Sequence, residues 1–478
     1  MSLSTAMKTA QSSFSNTALQ TAVASKNIAN ASNATYSRRA AILATAANGA
    51  AVVEIQRAQN EALQKTNLIS ISQSYAQDNL LGGLERMKTM FGGDGYELSV
   101  STYLSKLRDN LETFANKPNE ASLAETVVAN ATDVANTLNS NTKAIQQMRA
   151  DADADIAASV TELNRLLAEF TTYNDKIKAG TAAGTDVNDS LDQRDKLLTE
   201  ISAIVGVTSI TRTNNDMVLY TNDGTVLFET YPRSVTFAPT ATYTAGTPGN
   251  KVYIDGVEVQ AGKGGNTTAT GSLAALLQIR DDVAPTFQRQ LDETARGLIT
   301  MFEDAGAPGL FTWVNGAGVE QTTIPGTLTS GLAGMIIVNP DVVTAKGGNP
   351  MLIRDGINAN QNPDGNAGYS ALLNSYLGKF DEKITFDSST GLDTSLSILG
   401  IASASVGWVE QLRSSATTAA DDKAALWSRT EEALFSVTAV SLDEELSLLL
   451  DLEQSYKASA KLVAAIDEMM TALMNAAG

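Results

Sequence analysis

A chain of 478 residues exceeds one ordinary domain, and two to four are expected. Its net charge of −19 argues against non-specific nucleic-acid binding, and its lack of histidine and cysteine excludes disulfides, thiolate or imidazole metal sites and Ser-His-Asp triads. No signal-type apolar core opens the chain and no apolar run is long enough to span a bilayer, so the composition suits a soluble protein, or one exported without a cleaved signal.

The first helix is carried by Leu3, Met7, Ala10, Phe14, Thr17, Thr21, Ala24 and Ile28, whose alternating steps of four and three make a heptad-like seam. NIANASNATYSRRA (Asn27 to Ala40), rich in Asn, Ser and Thr, ends it. Residues 41–56 alternate enough for short strands. Helical spacing returns from Ala58 to Phe91 and stops at Gly92, Gly93 and Gly95. A further helix covers Ser99 to Asn116, before Lys117-Pro118. Glu120 to Ala179 reads as one long helix, free of Gly and Pro until Gly180. LDQRDKLLTEIS (Leu191 to Ser202) is a short charged helix. Residues 205–270 turn β-branched and alternating, with Asn222-Asp223-Gly224 and Asp255-Gly256 as hairpin turns. Ser272 to Glu303 is helical again, with Pro285 marking a kink or a break. Residues 305–390 are rich in Gly, Asn and Pro, with short strands (Leu310 to Val314, Met335 to Val338, Ile384 to Phe386) and one short helix near Tyr369–Leu377. Ser395 to Ala439 is helical.

The strongest periodic signal is Ser441 to Gly478. One apolar row runs through Leu442, Leu446, Leu449, Tyr456, Ala460, Val463, Met470 and Met474, and a second through Leu448, Leu452, Leu462, Ile466, Met469 and Leu473 widens the face. Ser441 and Glu444 have capping-box spacing. Such a helix would be about 55 Å long, more than a compact domain covers. Ordering it costs on the order of 1–2 kcal/mol per residue, at least as much as its apolar burial returns. It therefore needs a partner. The first 53 residues hold four basic and no acidic side chains, whereas the last helix is acidic, so the two ends complement each other in charge as well as in periodicity.

No catalytic motif emerges. Asp151, Asp153, Asp155 and Glu162 match positions 1, 3, 5 and 12 of a calcium loop, but Ile156 stands where that loop needs Gly, so they read as a solvated acidic helix face. The adjacent pairs Asp281-Asp282, Glu431-Glu432 and Glu444-Glu445 do not share a helix face and make poor acid/base dyads. The glycine clusters at 92–95 and 262–265 lack P-loop or dinucleotide spacing. No catalytic residue, cofactor or metal is expected.

NIANASNATYSRR (Asn27 to Arg39) resembles the signature near the N-terminus of bacterial flagellar axial proteins, the rod, hook and hook-associated proteins. Ser441 to Asn475 resembles their C-terminal signature, in the form found in hook-associated proteins of the first type. LDQRDKLLTEIS and GSLAALLQIRD (Gly271 to Asp281) resemble internal segments of the same group. One departure is Ala34-Thr35 before Tyr36, where the family usually has Pro-Gly. The resemblance implies a structural, non-enzymatic subunit of a tubular junction layer between hook and filament, outside the cell, delivered by the flagellar type III export apparatus. The implied partners are further copies of the chain in a ring, the hook protein, the next hook-associated or filament junction protein, and an export chaperone on the last helix, with no nucleic acid and no membrane insertion. The expected assembly interface comprises Leu3, Met7, Phe14, Asn27, Ile28, Asn30 and Tyr36 near the first helix, and Leu442, Leu446, Leu449, Tyr456, Val463, Ile466, Met470 and Leu473 on the last. The expected chaperone face is Leu446, Leu449, Leu452, Tyr456, Leu462, Ile466 and Met469.

These readings combine into an α+β multidomain fold. A long, discontinuous helical shaft carries paired, coiled-coil-like terminal helices and a β-rich inserted outer domain. Residues 1–45 and 440–478 form the terminal domain, 46–204, 271–303 and 391–439 the shaft, and 205–270 with 304–390 the β-rich part. The alternatives are another axial subunit of hook or rod type, and a phage-tail-like surface protein.

Overall fold

The computed structural model describes residues 3–46 and 49–477. In chain order it contains α1 (Leu3–Ala29), β1 (Arg39–Ala46), β2 (Gly49–Arg57), α2 (Glu61–Met90), α3 (Val100–Asn116), α4 (Ala121–Ala183) and α5 (Asn188–Ile204). The strands β3 (Val207–Thr211), β4 (Met217–Thr221), β5 (Val226–Phe228), β6 (Val235–Thr236), β7 (Tyr253–Ile254) and β8 (Val257–Glu258) follow. Then come α6 (Ser272–Gln278), α7 (Ala284–Met301), β9 (Phe311–Val314), β10 (Glu320–Gln321), β11 (Ile336–Val338), α8 (Leu352–Asp355), α9 (Ala371–Lys379), β12 (Ile384–Thr385), β13 (Ser395–Leu396), α10 (Ile398–Thr438) and α11 (Leu442–Ala477). The class is α+β, with small antiparallel sheets among long helices.

The chain divides into two compact units, Met1–Ser72 with Leu163–Ser234 and Ala424–Gly478, and Gln73–Glu162 with Val235–Lys423. These limits do not coincide with the expected ones. Residues 205–270 are shared, the sheet β3-β4-β5 falling in the first unit and β6-β7-β8 in the second. The physical reason is local. Phe228 of β5 packs edge-on against Phe170 of α4, ring centroids 5.0 Å apart. Thr240 and Tyr243, beyond β6, are instead held by a carboxylate on an earlier part of α4, in the second unit.

In the first unit, Leu68, Ile71, Leu167, Phe170, Leu198, Ile201, Val218 and Leu219 are buried. Hydrogen bonds knit the helices: Ser70 shares one with Thr430 (2.6 Å), and the Ser202 hydroxyl donates to the Leu68 carbonyl (2.6 Å). Gly180 lets α4 close on the start of α5, since a Cβ there would stand 2.4 Å from Val187. β1 and β2 form a hairpin along α1, where Ser12 Oγ and Asn16 Nδ2 donate to the Ala50 carbonyl (2.6 Å each).

The second unit is organised around α7, whose apolar side chains Phe287, Leu291, Leu298 and Ile299 lie in its core. The stretch from α6 to α7 does not break at Pro285. A π-helical turn, Ile279–Val283, precedes α7, and Pro285, which has no N–H to give the helical ladder, stands two residues after it. The polar side chains of α7 are buried too, and they hold the loops of 305–390. The Asp292 carboxylate accepts from the Gly331 and Ala333 N–H groups (2.9 Å each), and Glu293 accepts from Arg296 and from the Asp387 N–H (2.9 Å). Just beyond α7, Asp304 accepts from the N–H groups of Ile357 and Asn358 (2.7 Å each). Asp153 belongs to this pattern. It is buried, bonded to Arg280 (2.6 Å), the Tyr243 hydroxyl (2.7 Å) and the Thr240 N–H (2.7 Å), so it is a tie rather than part of a solvated face.

Burial pushes the Asp292 carboxyl up to about 6, against the hydrogen bonds from Ala333, Gly331 and Gln288 that favour its charge. The folded state thus binds a proton that the unfolded state releases near 3.8. Its contribution is fully present below that value and is lost as pH rises through about 6. Between pH 4 and 7 the stability of the wild type relative to Asp292→Asn is expected to fall by on the order of 3 kcal/mol in urea titrations. A flat difference across that range would contradict this.

Candidate functional site

The termini meet, and their meeting surface is the site. α1 and α11 run antiparallel, with Phe14 edge-on to Tyr456 (5.0 Å between centroids) and the Ser13 and Ser459 hydroxyls 2.7 Å apart. At that register Ala10, Thr17 and Ala24 stand opposite Ser459, Leu452 and Glu445. These residues, together with Ile466, are buried along the seam, where in both helices they recur every seventh position; Asn27, at the end of α1, is buried as well. The seam is narrow because α1 offers small side chains. Leu3, Phe14 and Ile28 are half-buried, and Met7 is exposed. On α11, Leu449 and Val463 are half-buried, whereas Leu442, Leu446, Tyr456, Leu462, Met469, Met470 and Leu473 remain exposed. The expected assembly residues therefore split. Asn27, Tyr36 and Ile466 are taken up within the chain, as is Leu452 of the expected chaperone face, and apolar flanks stand open on both sides of the α11 seam.

Where α1 ends, a buried polar cluster fixes the next residues. Asn27, fully buried, donates through Nδ2 to the Arg39 carbonyl (2.8 Å). Its Oδ1 accepts from the Tyr36 hydroxyl (2.8 Å) and the Arg39 N–H (3.1 Å). One side chain thereby closes the turn from residue 27 to residue 39. The Asn30 side chain donates to the Lys26 carbonyl (2.8 Å), and its backbone carbonyl accepts from the Asn33 N–H (2.9 Å). The departure at Ala34-Thr35 is accommodated by Asn33, whose Oδ1 accepts from the Thr35 N–H and hydroxyl (3.1 and 2.9 Å). No residue of 30–38 has a left-handed backbone, so this turn has no need of glycine.

Arg39 leads from this turn to α5. Its guanidinium stacks over the Tyr36 ring (4.8 Å to the centroid) and bonds Asp189 (2.6 Å) and Asp192 (3.0 Å). Arg57, at the end of the hairpin, pairs with Asp192 (3.4 Å) and Asp195, and Lys26 of α1 pairs with Asp189 (3.0 Å). Arg194 turns the other way, to Asn174 Oδ1 (3.0 Å) and the Asn215 carbonyl (2.6 Å). Asp189 and the charged segment LDQRD thus together join α1, the hairpin, α4 and the loop before β4. Burial pushes the Tyr36 hydroxyl up to about 12, with Arg39 opposing and Asp192 and Asp189 adding to the rise. Burial raises the Asp192 carboxyl although Arg57 and Arg39 pull it down, and burial lowers Arg194 to about 10. These are ties between elements, and Arg57, Arg194 and Asp195 also line an open cleft beside the hairpin and the start of α5.

The resemblance had marked Asn27 and Tyr36, and periodicity the apolar seam. Periodicity had not marked Arg39, Arg57, Asp189, Asp192 or Glu445, because a charge in a sequence reads as solvated until its partner is known. The only signal was that opposite charges cluster in the segments 38–39 and 189–195.

Two family models match the chain. One, described as the flagellar hook-associated protein FlgK helical domain, covers residues 84–319. The other, described as the flagellar basal body rod FlgEFG protein C-terminal, covers residues 435–476, almost the whole of α11. Curated relatives are similar over longer spans. Flagellar hook-associated protein 1 of Bacillus subtilis (strain 168) is 24% identical over 410 residues, 79% of this chain and 76% of that protein. These matches agree on similarity to the FlgK family of flagellar hook-associated proteins. Flagellar hook-associated protein 1 of Escherichia coli (strain K12) is 23% identical over 291 residues, 58% of this chain and about half (51%) of its own length. The flagellar hook junction protein FlgK from Burkholderia pseudomallei is similar in structure over 54% of this chain and 46% of its own, with a TM-score of 0.43 and 17% identity. These similarities identify the chain as a structural protein of the flagellum.

Asn27→Ala would strand the Tyr36 hydroxyl and both backbone groups of Arg39, and is expected to destabilise the first unit by on the order of 2–4 kcal/mol. Tyr36→Phe is expected to cost about 1 kcal/mol. Urea unfolding followed by Trp427 fluorescence, in a Trp313→Phe/Trp408→Phe background, measures both. Equal effects of the two substitutions would show that Asn27 does not hold the turn.

Proposed function

We propose that this chain forms the junction layer that connects the flagellar hook to the filament. What carries the reading is α11, a helix whose single buried seam leaves apolar flanks on both sides. A monomer gains nothing from such flanks, whereas a repeated head-to-tail contact between copies buries each against the next. In this reading α1 and α11 line a tube of copies, with Met7, Leu442, Tyr456 and Met470 among the residues between neighbours. The hook protein and the next hook-associated protein adjoin the tube at its two ends. Hook and rod subunits are the competing assignment, and the match at 84–319 to the FlgK helical domain favours the junction.

The test is a clean deletion of the gene, followed by electron microscopy and an assay of the medium for flagellin. Bare hooks with unpolymerised flagellin outside the cell are expected. Normal filaments and swimming would overturn the assignment.

Export through the flagellar type III apparatus, with a chaperone on the last helix, completes the proposal. The proposed chaperone face includes Leu452 and Ile466, which α1 covers in this structure (6% and 3% exposed). A chaperone that grips these residues must displace α1, so the two modes exclude each other. Amide exchange is expected to be fast in 442–477 of the free chain, where few contacts hold α11, and slow in the chaperone complex, with α1 still fast. Slow exchange of α1 in that complex would show that the chaperone holds some other face.

A further inference from the structure

The seam on α11 is not the most apolar line that α11 offers. Its buried heptad positions are Glu445, Leu452, Ser459 and Ile466, whereas Leu442, Tyr456 and Met470, three positions away, stay about half exposed. A turn of about 50°, the offset between positions three apart at 3.5 residues per turn, would bring Leu442, Leu449, Tyr456, Val463 and Met470 onto the seam. That arrangement would replace a glutamate and a serine by apolar side chains and bury more apolar surface. Sliding along the axis is limited, because α10 ends at Thr438 and α11 begins at Leu442. Rotation is not limited in this way.

Two polar ties oppose the turn. Midway along the seam, the Ser13 and Ser459 hydroxyls bond at 2.7 Å. At its end, the Glu445 carboxylate, 1% exposed, accepts from Arg38 Nε at 2.8 Å. Arg38 is itself a fixed point: its N–H donates to the Thr438 carbonyl (2.7 Å) and its carbonyl accepts from the Ala58 N–H (2.8 Å). A turn of α11 would pull Glu445 from an Arg38 that cannot follow. A buried carboxylate without its partner is far costlier than the apolar contact it replaces is favourable. Glu444 also approaches Arg38, at 3.5 Å, but it lies on the open side.

We infer that the Arg38–Glu445 pair, with Ser13–Ser459 in support, selects which face of α11 meets α1 and so keeps both apolar flanks outward. Glu445 is a positioning residue. It contributes specificity of orientation, a use of buried charge that is attested where coiled-coil helices choose between registers. That the flanks then meet further copies rests on the junction reading; the choice of face does not.

The chain has no cysteine, so introduced pairs report the face without background. Thr17→Cys with Leu452→Cys spans the seam. Thr17→Cys with Asp451→Cys or Glu453→Cys, both exposed on α11, reports a turn in either direction. The experiment uses flagella isolated from a deletion strain carrying each variant, mild oxidation, and an immunoblot for the mobility shift of an intrachain disulfide. With Glu445 present, only the 17–452 pair is expected to close. In Glu445→Leu, 17–452 closure is expected to fall several-fold while one of the other pairs gains. The charge-swapped Arg38→Glu/Glu445→Arg variant is expected to recover the original pattern. An unchanged pattern in Glu445→Leu overturns the inference and leaves the junction reading intact. If Glu445→Leu abolishes filaments, the swapped variant decides: failure to recover 17–452 closure overturns the inference. Absence of filaments with the unmutated chain would instead count against the junction reading.

Discussion

A 36-residue helix that is apolar over a broad arc cannot be covered by a partner whose contact line is Ala10, Thr17 and Ala24. Small side chains bring α1 and α11 close together, but they cover one line and no more. Everything beside that line, from Leu442 and Leu446 to Met469 and Leu473, meets solvent in the single chain. The rest of the first unit is built to hold this mismatch in one orientation. Asn27 closes the turn after α1, Arg39 fastens it to α5, and Arg38 reaches the first turn of α11. Packing by itself would allow several ways of placing α11, and the polar contacts reduce them to one.

The same division of labour recurs in the second unit. Its loops between 305 and 390 have little sheet of their own, the strands being two to four residues long. They are held because carboxylates at fixed points of the long helices accept their backbone N–H groups, as Asp292 does for 331–333 and Asp304 for 357–358. A helix is a stiff place to mount an acceptor, and an ionised acceptor bonds more strongly than a carbonyl. Part of the net charge of −19 is therefore structural and faces inward.

The helices were legible in the sequence because their apolar periods are long and uninterrupted. The pairing of the termini was legible because Leu3 to Ile28 and Leu442 to Met474 carry matching seams of opposite charge. The turn at Asp255-Gly256 was legible because both residues take a left-handed backbone, which that dipeptide favours. What could not be read was the partner of each buried charge. Asp153 is 127 residues from Arg280, and Asp192 is 153 from Arg39, and periodicity carries no information over such distances. The seam on α11 was read as two apolar rows, yet the buried line takes only Leu452 and Ile466 of the second row and completes it with Glu445 and Ser459. Hydrophobicity points to the middle of an arc, and only specific bonds set the angle within it.

The separation of the two seam helices also sets an order in time. Arg38 and Glu445 are 407 residues apart, so a chain made or threaded from its first residue onward completes α1 long before α11 exists. At translation rates of roughly 5–20 residues per second, that wait is on the order of 20–80 s. α1 can tolerate it, since its seam of alanine and threonine is too weakly apolar to recruit wrong partners. α11 could not, with its leucines and methionines, and it is made when α1 is already waiting. The unequal apolarity of the two helices matches the unequal time each spends alone.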